Sequence, residues 1–111
     1  MKKGSGVESH FAGFRDHYDG NARLIILRAL NEQGDGRLND SLLLKTLQTF
    51  GINKGRDYLR QQLAWLETEA GVVRTTDIGT AQIVQILEAG EDHVEQRRVL
   101  PGIAKPSRPR A

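Results

Sequence analysis

Cysteine is absent from the 111 residues, which excludes a disulfide framework, a thiolate nucleophile and a cysteine-ligated metal. No apolar run approaches the roughly 18 residues of a membrane span. The first six residues, Met1 to Gly6, hold two lysines but no apolar core behind them, so they do not read as a signal peptide and a cytoplasmic protein is expected. Proline is confined to Pro101, Pro106 and Pro109. No glycine-rich phosphate loop follows a strand, no serine–histidine constellation offers a nucleophile, and no internal repeat is present. His10 and His17 are seven residues apart, about 10 Å along a helix, too far for one ion. Asp35 to Asp40 lacks the alternation of an EF-hand loop. Neither an enzyme nor a metal or cofactor site is expected, and no small-molecule effector is evident.

What is present fits one small domain. The apolar share is 38%, below that of average globular chains, which fits polar ends around a core of about 70 residues. The formal net charge of +2 is a weak pull on a polyanion, but it is unevenly spread. Arg97, Arg98, Lys105, Arg108 and Arg110 follow one another with no acid between them, whereas from Leu66 to Glu95 the only Lys or Arg is Arg74. Contact with nucleic acid would need local basic surfaces.

Residues 1–19 read as a flexible arm with a short aromatic stretch, in which Phe11, Phe14 and Tyr18 share one helical face and pack on the domain or on a second subunit. A first helix is expected from Asn21, as its cap, to Asn31, with Leu24, Ile25, Ile26, Leu27 and Leu30 on a wide apolar face. Gly34 and Gly36 end it, and Arg37-Leu38 reads as a short extended piece pairing with a later hairpin. A second helix runs from Asn39 or Asp40 to Phe50, burying Leu43, Leu47 and Phe50, with Gly51 closing it. A third, capped by Asn53 or Gly55, reaches Glu69 with Leu59, Leu63 and Leu66 inward and Trp65 beside them. Its opposite face carries Arg56, Asp57, Arg60, Gln61 and Ala64, and Asp57 is placed to pair with Arg60 or Gln61. Strands over residues 72–76 and 81–87 flank a turn at Asp77-Ile78-Gly79-Thr80. A last helix is expected over Glu88 to Arg98 despite Gly90, and residues 99–111 read as a basic, proline-bearing tail.

The fold class is thus α+β and mostly helical: a three-helix core, a two-stranded hairpin and a short C-terminal helix. Leu63-Ala64-Trp65-Leu66-Glu67-Thr68-Glu69-Ala70-Gly71-Val72-Val73 resembles the end of the third helix in winged helix-turn-helix regulators of the arsenical-repressor and multiple-antibiotic-resistance-repressor classes. Ile86-Leu87-Glu88-Ala89-Gly90 resembles the approach to their last helix. Arg37 to Leu43, Arg56 to Arg60 and Leu63 to Leu66 are similar to small winged-helix proteins of Mu-like prophages. The resemblance covers about residues 20–103. It implies a winged-helix domain over residues 20–98 and a DNA-binding transcriptional regulator of phage or prophage origin, dimeric through its terminal helices. The metal-sensing cysteines of the arsenical class are missing here.

On that reading the third helix enters the major groove of double-stranded DNA. Arg and Gln can reach base edges there and Lys can neutralise phosphate. The candidates are Asn53, Lys54, Arg56, Arg60 and Gln61, with Arg74, Thr75 and Thr76 setting the wing on the backbone. The alternative is a winged-helix adaptor that binds a protein partner in phage biology without DNA, which the low net charge and the acidic stretch favour.

Overall fold

The computed structural model describes the backbone of residues 5–107 and the side chains of residues 13–107. The elements follow as α1 (Ser5–Asn31), β1 (Arg37–Asn39), α2 (Asp40–Thr49), α3 (Arg56–Thr68), β2 (Val73–Asp77), β3 (Gln82–Ile86) and α4 (Glu88–Val94). The strands form one antiparallel sheet in the order β1-β3-β2. Arg37-Leu38 does pair with the hairpin, so the sheet has three strands rather than the expected two.

The aromatic stretch is no separate arm. α1 is one helix of 27 residues that passes through Asn21, which therefore caps nothing. The side chains of His10 and Phe11 lie outside the described residues; Phe14 is exposed and Tyr18 packs edge-on against Tyr58. Farther along, Ala22, Leu24, Ile26, Leu27 and Leu30 are buried and Ile25 only half so.

α2 begins as its sequence requires, with the Asn39 side chain accepting the Leu42 N–H at 2.8 Å. It closes in a Schellman motif. Gly51, at φ +88, donates to the Gln48 carbonyl, and Ile52 donates to that of Leu47. This motif turns the chain so that Ile52 meets Leu47 in the core. Phe50, expected to be inward, is left 66% exposed, because the helical period stops one residue before it. α3 is capped by Gly55, without a side-chain bond, and buries Leu59, Leu63 and Leu66 together with Gln62. The hairpin turns where expected, with Gly79 at φ +95 and its N–H on the Asp77 carboxylate.

Two further departures lie at the C-terminal end. α4 stops at Val94, not Arg98: Gln96 adopts φ +65, and the N–H groups of Arg97 and Arg98 turn back to the Asp92 carbonyl. The chain then does not leave as a tail. Residues 100–104 cross back over α1 as a strap. Ile103 is buried, the Ala104 N–H donates to the Gly20 carbonyl at 3.1 Å, and the Arg23 guanidinium donates to the Gly102 carbonyl at 2.9 Å. Arg23 also stacks 3.8 Å from the Trp65 ring centre and donates to Gln62. Proline excludes a helix here, but side chains and the α1 backbone satisfy the irregular strap. Of the tail's cations, Arg108 and Arg110 lie outside the described residues.

α4 lies directly on the root of the hairpin. A Cβ on Gly90 would stand 2.8 Å from the Val72 carbonyl oxygen and 2.9 Å from Ile86 Cγ1. Gly90→Ala is therefore expected to lose about 1–3 kcal/mol through overpacking despite the better helix propensity of alanine. Urea denaturation measures this, and an unchanged or raised midpoint would show that α4 can shift away at no cost.

Candidate nucleic-acid interface

Residues 53–61 bring five of the predicted site residues to the start of α3. Asn53 and Lys54 are exposed in the turn that precedes it. The Lys54 ammonium lies 5.6 Å from the ring centres of both Tyr18 and Tyr58, a placement that favours the cation. Tyr58 in turn donates its hydroxyl to Asp19, and burial followed by that bond raises its pKa well above the ordinary value. Gln61 faces solvent, as do Asp57 and Ala64.

Arg56 and Arg60 are placed differently from expectation. Both reach the Asp40 carboxylate at the first turn of α2, Arg56 Nη1 at 2.9 Å and Arg60 Nη2 at 2.8 Å, on the same Oδ2. Arg56 Nη2 also donates to the Ser41 hydroxyl at 3.3 Å. The expected pairing of Arg60 with Asp57 does not occur. Asp40 is fully buried, while the two arginines remain partly open to water. Burial pushes the Asp40 carboxyl up, but the bonds from Arg60 and Arg56, the Gln82 backbone N–H and the Arg56 charge outweigh it, leaving the pKa below the ordinary 3.8. Asp40 Oδ1 and Arg60 Nε are buried without a hydrogen-bond partner. Two guanidiniums on one carboxylate leave one positive charge in excess, held in a fixed orientation.

The hairpin residues divide between the two faces of the sheet. Val84 and Ile86 of β3 are buried, so Ile83 and Gln85 point the other way. Arg74 is registered with Gln85 and Thr76 with Ile83, placing both on that outward face, and both are exposed. Thr75, registered with Val84, points toward the helices, where its hydroxyl donates to Glu67 at 2.6 Å. Thr75 is thus a brace between β2 and α3 rather than part of the same surface.

Sequence reasoning missed several of these polar groups. Asp40 reads as a helix-dipole acid, and only its spacing from Arg56 and Arg60 across a turn could have hinted at more. Gln62 sits between inward leucines. His93 is fully buried in α4, with its Nδ1 accepting the Leu100 N–H at 3.1 Å and its Nε2 2.9 Å from the Ala104 carbonyl. The first contact requires an unprotonated Nδ1, so the proton sits on Nε2 and points into the strap.

Among the described residues the fold is a small α+β domain of four helices and a three-stranded antiparallel sheet. No family model matches the chain, and no solved structure matches it. It is 35% identical over 89 residues to the uncharacterized protein gp26 of Escherichia phage Mu, a match covering 80% of this chain and 90% of the phage protein. The chain belongs to the family of that phage protein. Among the described residues, no helix is long and apolar enough to cross a membrane.

Proposed function

We propose that the domain is a winged helix-turn-helix that binds double-stranded DNA as a transcriptional regulator of phage or prophage, in the bacterial cytoplasm and as a homodimer. The observation that carries this reading is the passage of α2, turn and α3 directly into the β2–β3 hairpin, with one long face of α3 uncovered. A helix offered to the major groove beside a hairpin on the backbone has this layout. Gln61 is the base-edge candidate and Asn53 lies near it. Lys54 and the excess charge of the Arg56–Asp40–Arg60 group supply phosphate contacts. Exposed Phe14 and the open residues 13–17 of α1 are the surface a second copy would cover.

A second reading, a protein adaptor, is favoured by the hold of Asp40 on both α3 arginines, which lowers the free charge of the helix. Fluorescence anisotropy with duplex DNA over a salt series separates the two. DNA binding predicts affinity that falls steeply with salt. Lys54→Ala should lower the salt slope by about 1 and Gln61→Ala should cost about 1–3 kcal/mol on a preferred sequence. These variants leave the Asp40 pairs intact, which an Arg60 variant would not. Absence of binding at low salt would sink the regulator reading and leave the adaptor.

A further inference from the structure

We infer that the outward face of the sheet is a second phosphate-binding surface, built on a cross-strand row of Arg37, Gln85 and Arg74, and that it contacts the backbone of duplex DNA. Arg37 on β1 and Arg74 on β2 are both registered with Gln85 on the central strand β3. Residues directly opposite in antiparallel strands point to the same face, so the three side chains stand in one line with the arginines about 10 Å apart at Cα. The next row is Asn39, Ile83 and Thr76. None of these six outward positions is acidic.

The row differs from α3 in the state of its charges. Arg56 and Arg60 are tied to a buried carboxylate, whereas Arg37 and Arg74 are exposed and make no ion pair or side-chain hydrogen bond among the described residues. The nearby acid Asp35 accepts the Arg37 backbone N–H at 3.1 Å and leaves the guanidinium free. α1 and α2 contact β1 and β3, α3 contacts β2, and the buried Val84 and Ile86 mark the side on which they pack. The opposite side holds two long, uncompensated cations with a neutral donor and acceptor between them. That pattern is complementary to consecutive backbone phosphates, and a guanidinium binds phosphate with paired N–H groups. It carries no base-reading geometry, so it predicts affinity without sequence preference.

The inference rests on DNA binding but not on α3 as the reader, and the test keeps the two apart. Salt slopes are measured by anisotropy on two duplexes of unrelated sequence for the wild type, Arg37→Ala, Arg74→Ala, the double variant, Gln85→Glu, and Lys54→Ala with Gln61→Ala. Circular dichroism melts check that each variant folds; all the sheet substitutions lie on the solvent side. Each arginine removed should lower the slope by about 1 and the pair by about 2, equally on both duplexes. Gln85→Glu, which sets an acid between the arginines, should weaken binding on both duplexes. If the wild type binds and the double variant keeps its slope, the sheet surface is overturned while the α3 reading stands. If the sheet variants lose affinity and the α3 variants do not, the sheet is the contact and the α3 reading fails. No binding by the wild type overturns both.

Discussion

Replacing Arg56 and Arg60 together by alanine is expected to lower stability by about 3–5 kcal/mol at neutral pH, because it strands the buried Asp40 carboxylate without a counter-charge. The pH dependence gives the sharper signature. In the wild type the Asp40 pKa is held below 3.8. The pairing therefore stabilises the fold above that pH, and this stabilisation is lost as the pH falls through the lowered value. In the double variant both arginines are gone and burial, opposed only by the Gln82 backbone N–H, lifts the pKa from its wild-type position. The penalty is then present above the raised pKa and is relieved as the pH falls through it. The gap between the two proteins should be widest near neutrality and narrow as the pH falls through the raised pKa of the variant carboxyl. Urea melts at several pH values measure this. A gap that is small, or that does not change with pH, would show that Asp40 reaches water on its own.

Ending the chain after Val99 is expected to cost a similar amount. The shorter form loses Ile103 from the core, worth about 1.5–3 kcal/mol for a fully buried aliphatic side chain. It also removes the Leu100 N–H and the Ala104 carbonyl that serve both ring nitrogens of His93. Leaving buried polar groups unpaired adds about 1–3 kcal/mol. The Arg23–Trp65 stack loses its cover at Gly102. Denaturation midpoints of the full chain and the truncated form test this directly. Equal midpoints would mean that residues 100–104 do not hold the fold.

The helices and hairpin were legible because their signals are local. Asn39 as a cap, Gly51 as a closing residue, the leucine spacing of α3 and Gly79 in the hairpin turn each act within a few residues. What escaped depends on distance along the chain. Phe50 faces out and Ile52 faces in because the Schellman turn, not the helical period, sets the direction of the chain there. Arg60 pairs with Asp40 twenty residues away rather than with Asp57 three away. Residues 100–104 carry one proline, one glycine and no period, so only contacts with α1 and α4 show them to be structural. For the site, the residue types at the start of α3 could be read, but which of their charges remain free could not.

The strap also sets the order in which the protein can be finished as it is made. Arg23 and Gly102 are 79 residues apart, and Ala104 bonds to Gly20, so the first helix holds its partners open until nearly the whole domain has been translated. At roughly 5–20 residues per second, α1 waits several seconds on the ribosome with part of its apolar face uncovered. A nascent chain paused anywhere before residue 104 has left the exit tunnel exposes Trp65 and the Ile103 site. A chaperone that surveys new chains would meet this domain as a client until synthesis has passed that point.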